Sequence, residues 1–183
     1  MKLKIYFLLA ILMYTVIVSA QDKYATQTGM VSFEASVPSF EEVKAKHENA
    51  SAILNTADGT FASLVLVRGF RFKVALMEEH FNENYMESSE YPKAVFKGKL
   101  QDFSMETLSG TPNEFMLLGT ITIHGVTKDL NTPVMVSKEG NQVLLKTALQ
   151  LNPEDFEIEI PSLVRKKIAE SVQVECNYLL KAK

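Results

Sequence analysis

The 183-residue chain has no tryptophan and a single cysteine, Cys176. One thiol cannot close an intramolecular disulfide, so the core must hold the fold. A domain of this length buries enough apolar surface to need no such staple. Eight glycines and six prolines follow no period, which excludes collagen-like and low-complexity architectures. Glycine-rich phosphate loops and calcium-loop spacing are missing. Positive charge is scarce as well, and its one cluster is Arg165-Lys166-Lys167. Nucleic-acid binding needs a basic face, which 19 basic residues scattered among 22 acidic ones do not supply.

Histidine is equally sparse. A zinc site needs three or four converging ligands, and His47, His80 and His124 lack such spacing. His80 has Glu79, Glu83 and Asn84 within helical reach but no second imidazole, and it reads as a half-buried helix residue. His124 reads as a turn residue and His47 as a solvated one. No serine stands in a nucleophile-elbow context. Cys176 alternates with Val174 and Tyr178 on an apolar face, where a thiol behaves as a small hydrophobe. Glu78, Glu79, Glu83 and Glu87 read as the wet face of a helix. The expectation is a chain that is not an enzyme and carries neither metal nor cofactor.

One long hydrophobic run is present. Lys2 and Lys4 precede the apolar stretch Ile5 to Val18, and Val18-Ser19-Ala20 ends it with small residues. This is the pattern of a secretory signal over residues 1–20, too short for a membrane span. An N-terminal anchor is the alternative. Cleavage would leave a domain of residues 21–183 starting at Gln21, with no stable membrane span. No cysteine follows the run to take a lipid. Lys2 and Lys4 are two of the 19 basic residues, so the mature chain carries 17 against 22 acids, a net charge of −5. The expected location is periplasmic or secreted.

The remainder is dominated by period-two alternation, the mark of strands. Phe115 to Val136 is the clearest case. Phe115, Leu117, Ile121 and Ile123 alternate with Met116, Leu118, Thr120 and Thr122 up to His124-Gly125, a tight hairpin turn. That turn sets Ile123 opposite Val126 and Thr122 opposite Thr127. Further strands are expected over 29–37, 50–56, 60–73, 93–103, 142–151 and 171–183. Asp58-Gly59 and Glu139-Gly140-Asn141 supply turns. Residues 21–28 read as a loose lead-in, Ser39 as the cap of a helical turn, and 44–49 as exposed. Leu76, Met77, His80, Phe81, Asn84 and Tyr85 change the period to that of a helix over 74–87. A second short amphipathic piece is expected over 163–170. The fold class is thus all-β with one or two short helices. Eight antiparallel strands suit a closed barrel, and a sandwich is the rival.

Two blocks resemble the YceI-like family. GTITIHGVTKDLNTPV matches its late hairpin, a G-x-L/I-T-I-x-G-V-T-K pattern followed by Pro-Val. MEEHFNENYMESSEYPKAVFKG matches its acidic helical segment, then Tyr-Pro and an aromatic-bearing strand. The likeness runs over most of the chain after residue 28. It implies an eight-stranded antiparallel lipocalin-like barrel with a helix on its side. It also implies a bacterial envelope protein that binds an apolar lipid, such as a polyisoprenoid, an isoprenoid quinone or a fatty-acid-like chain, inside the barrel. The expected role is a carrier or sequestering protein. The alternative is a structural or stress-related envelope domain with a filled core and no ligand. On the barrel reading, the clearest apolar phases put Val65, Val67, Phe96, Phe115, Leu117, Ile121, Ile123, Leu145, Leu149, Val174 and Tyr178 along the channel.

Overall fold

Alternation along the strands builds the molecule. A computed structural model describes residues 22–183. The expected leader lies outside the described residues. The described residues form nine strands: β1 Lys23–Ser36, β2 Lys44–Asn55, β3 Thr60–Leu66, β4 Arg71–Phe72, β5 Lys93–Leu100, β6 Asn113–Ile123, β7 Val126–Glu139, β8 Gln142–Leu151 and β9 Ile168–Ala182. Along β8, Val143 and Leu145 are buried while Gln142, Leu144 and Lys146 face outward, as period two requires.

Eight of these strands form a closed antiparallel barrel in the order β1-β9-β8-β7-β6-β5-β3-β2, and β2 pairs back to β1. The two-residue β4 hangs on the edge of β2 through Ala45 and Phe72. The hairpin at His124-Gly125 is the expected one. Ile123 pairs with Val126 and Thr122 with Thr127. His124 and Gly125 take φ values of 50° and 77°. Positive φ at both central residues is what a type I′ turn demands, and its twist matches that of the strands it joins.

The two ends of the barrel differ. Around Leu54, Leu100, Val136, Val143 and Leu180 the interior is solid, and each of these side chains is fully buried. The other end carries the long connections 37–43, 67–92 and 152–167. Its wall is also split. β7 pairs with the whole of β6, from Val126 to Val136, but with β8 only from Met135↔Lys146 to Glu139↔Gln142. Pro133 has no N–H to continue that ladder. Thr147 Oγ1 donates instead to the Pro133 carbonyl at 2.9 Å, and Thr132 and Thr147 hydroxyls meet at 3.3 Å. Above this point β7 and β8 diverge. The turn Pro153–Phe156 fills the split and touches both β7 and β9.

Several boundaries differ from the sequence reading. β1 begins at Lys23 rather than Gly29, because Lys23 to Thr26 pair with the end of β2. β2 begins at Lys44, so the charged run 44–49 is strand. Ser39 caps no helix but sits in a turn at φ 75°. The expected long strand 60–73 stops at Leu66, turns through a 3-10 turn at Val67–Gly69 and resumes as β4. The strand expected over 93–103 stops at Leu100. The helix expected over 74–87 is α1, Ala75–His80, continued by a wider turn at Phe81–Tyr85. The expected helix 163–170 shrinks to α2, Ser162–Arg165, because β9 starts at Ile168.

Candidate functional site

The open half of the barrel encloses a cavity of about 570 Å³. That lies within the ~300–1,000 Å³ of small-molecule sites. Its floor is Phe61, Leu145 and Tyr178, above the solid end. Its walls include Val65, Ala94, Phe96, Leu117, Ile121, Leu130, Leu149, Val172 and Val174. Phe96 lies flat because Gly98 and Gly119, paired across β5 and β6, leave no Cβ beneath its ring.

The mouth is made by the three long connections. Phe40, Glu41 and Val43 come from the first, and α1 supplies Leu76, Met77 and His80, followed by Phe81 and Tyr85. The strap 152–167 contributes Pro153, Phe156, Ile158, Ile160, Val164 and Lys167. Below the mouth stands an aromatic collar. Phe33 and Phe81 stack at 5.3 Å, and Phe70 and Phe72 meet Phe81 edge-on or tilted at 5.7 and 5.1 Å. Such pairs add about 0.5–1.5 kcal/mol each beyond area burial. They fix the position of a helix that makes no side-chain cap hydrogen bond at its N-terminus.

Polar groups on the cavity wall are few and placed at its two ends. Ser63, Thr132, Thr147, Cys176 and Tyr178 lie toward the floor, while Glu41, His80 and Lys167 lie at the rim. Burial pushes the Cys176 thiol up to about 11 and drives the Tyr178 phenol strongly upward. Both are neutral at physiological pH. An uncharged floor and an aliphatic wall can take an apolar chain. Among the described residues no group of three His, Cys, Asp or Glu side chains could hold a metal ion. No described helix is long and apolar enough to cross a membrane.

The structure gathers all but one of the eleven residues expected along the channel. Val65, Val67, Phe96, Leu117, Ile121, Ile123, Leu145, Leu149, Val174 and Tyr178 border the cavity. Phe115 does not. It points inward at the filled end and packs on Phe103 at 5.6 Å. The sequence reading missed the collar and the strap. Phe70 and Phe72 alternate within what read as one long strand. Phe156, Ile158 and Ile160 alternate with acids in what read as a connection.

The histidines are not where they were expected. His47 is buried, at 2 % exposure, rather than solvated. The Asn49 N–H donates to its Nδ1 at 3.1 Å. Burial, and next the Arg71 charge, hold its pKa below the usual value. His80 is exposed at the rim rather than half-buried. His124 is more than a turn residue. Its Nδ1 lies 3.1 Å from the Phe156 carbonyl and its Nε2 2.9 Å from the Glu87 carboxylate, with Tyr91 packed on the ring at 4.4 Å. One imidazole thereby ties the hairpin tip to the segment after α1 and to the strap.

Comparison with known proteins agrees with this architecture. The YceI-like domain matches residues 20–179. No curated protein matches the sequence significantly. Among solved structures, a polyisoprenoid binding domain from Saccharophagus degradans implicated in plant cell wall breakdown is similar, with 15% identity. The alignment covers 88% of this chain and 99% of that one, with a TM-score of 0.77. Burkholderia cenocepacia BcnA shares 18% identity over 83% of this chain and 95% of its own, with a TM-score of 0.68. The Campylobacter jejuni YCEI protein shares 13% identity over 78% and 88%, with a TM-score of 0.59. At these identities the likeness is one of fold, and the family match extends from before the first strand almost to the end of the last. The chain belongs to the YceI-like family.

Proposed function

We propose that this protein is exported and encloses one apolar chain of polyisoprenoid, isoprenoid-quinone or fatty-acid-like type, acting as a carrier or sequestering protein rather than an enzyme. The observation that carries the reading is the cavity, walled by aliphatic and aromatic side chains over half the barrel and closed at one end. The polyisoprenoid binding of the similar Saccharophagus domain supports it. The leader pattern of residues 1–20 supports export. The ten inward residues named above are the proposed contacts. Phe115 is left out, because it lies below the floor.

A chain drawn into this space loses its water contact at a gain of about 25 cal/mol per Å² of apolar surface. Binding therefore needs no strong polar contact. The filled-core alternative describes only the closed half of the interior. Thermal unfolding with and without added isoprenoid quinone or fatty acid tests the proposal. The melting temperature should rise with wild-type protein. Leu117→Phe, which narrows the channel beside Ile121, should favour shorter chains. An unchanged melting temperature with every chain tried would contradict the proposal.

A further inference from the structure

Among the described residues the four most exposed large hydrophobic side chains are Leu163, Leu76, Leu66 and Phe40, at 87%, 57%, 49% and 48%. Three of them crowd the open end. Phe40 and Leu76 border the cavity while remaining half in water, so they sit on its rim. Leu163 is next to Val164, which lines the cavity from the strap, and itself points away into solvent. Beside it runs Arg165-Lys166-Lys167, the one basic cluster of the chain. Between Ile160 and Ile168 these three cations are the only charges, and none of them makes an ion pair among the described residues. Acids do flank the rim, at Glu41, Glu42, Glu159 and Glu170. The strap's own acids, Glu154, Asp155, Glu157 and Glu159, all precede Ile160, and the projecting turn Pro161–Lys167 has none.

We propose that the open end docks on an anionic lipid bilayer, with Leu163 inserted at the interface and Arg165 and Lys166 against lipid phosphates. The proposal rests on the chain-binding reading, since it places the mouth of the cavity where an apolar chain can pass from the membrane without crossing water. The charge pattern selects the occupant. A projecting leucine beside unpaired cations fits a surface that is apolar below and negative above, and basic side chains keep their heads in water while their stems cover apolar surface. A second copy of this chain would present the same cations to themselves, and like charges oppose that contact.

Flotation with vesicles tests the docking separately from the cavity. Wild-type protein should float with phosphatidylglycerol-containing vesicles and not with pure phosphatidylcholine ones, and binding should fall as salt is raised. Arg165→Ala with Lys166→Ala should weaken partitioning on the order of 30-fold, from the usual contribution of a basic residue near an anionic surface. Leu163→Ser should weaken it as well. Because these side chains lie outside the cavity, both variants should still show the melting-temperature rise with added lipid. Loss of that rise in wild type would strike the chain-binding reading, whereas loss of flotation alone strikes the docking. Equal binding to both vesicle types, binding to neither, or variants that bind like wild type would overturn the proposal. So would a concentration-dependent dimer that Leu163→Ser abolishes.

Discussion

Single side chains decide what the interior can do. Cys176 faces the cavity from β9, and burial raises its thiol to about 11, so almost no thiolate exists near neutral pH. Native protein should react with an alkylating reagent far more slowly than denatured protein, and equal rates would remove Cys176 from the interior. His47 acts in the opposite sense to a surface histidine. The Asn49 N–H occupies its Nδ1, so a second ring proton would break a hydrogen bond inside the fold. Its folded pKa lies below the ordinary value of 6.5. Below pH 6.5 the unfolded chain therefore takes up a proton that the folded one refuses. Stability is complete above that pH and falls as the pH drops from there toward the folded pKa. Melting temperature measured against pH should show this decline, and His47→Asn should lack that part of it. Gly69 depends on the same ring, because a Cβ there would overlap the imidazole. Gly69→Ala should cost about 1–3 kcal/mol in denaturant unfolding. The signal for His47 was legible but masked. Ala45, His47 and Leu54 face inward while Lys44, Lys46 and Glu48 face outward, and the density of charge hid the alternation.

At the scale of elements, strands were legible where a period of two ran unbroken and turn chemistry was explicit. β8 occupies the residues expected, and the register at His124-Gly125 follows from a two-residue turn. The interruptions were not legible. Nothing local in Val67 to Phe72 shows that the chain bends to hang a short strand on β2, since the partners of that strand lie more than twenty residues away. The strap was missed for the same reason. Its alternating Phe156, Ile158 and Ile160 resemble a strand, but the split between β7 and β8 that they fill exists only in three dimensions. Pro133 was the one local clue to that split. Thr147→Val removes the hydroxyl that caps the Pro133 carbonyl, and the loss should be about 1 kcal/mol of stability. His124→Ala frees the Phe156 carbonyl and Glu87 together. Amide hydrogen exchange over 153–168 should accelerate in this variant while β8 and β9 near the closed end keep their protection. Unchanged exchange in the strap would mean that packing alone holds it.

For the whole molecule, the barrel divides its interior between two tasks. The closed half supplies stability through fully buried Leu54, Leu100, Leu180 and their valine neighbours. The open half leaves apolar surface without a protein partner. A folded protein keeps so large an apolar space only at a cost in cohesion. That cost is offset when a chain fills it. Leu117→Asp should abolish the filling, because a carboxylate on that wall would be buried without a partner. The most direct measurement is mass spectrometry of an organic extract from protein purified from its exported fraction without detergent. An apolar-chain lipid is expected in stoichiometric amount with wild type and none with Leu117→Asp. An extract of folded wild-type protein that holds no such lipid, together with a melting temperature that added quinone or fatty acid does not raise, would contradict it.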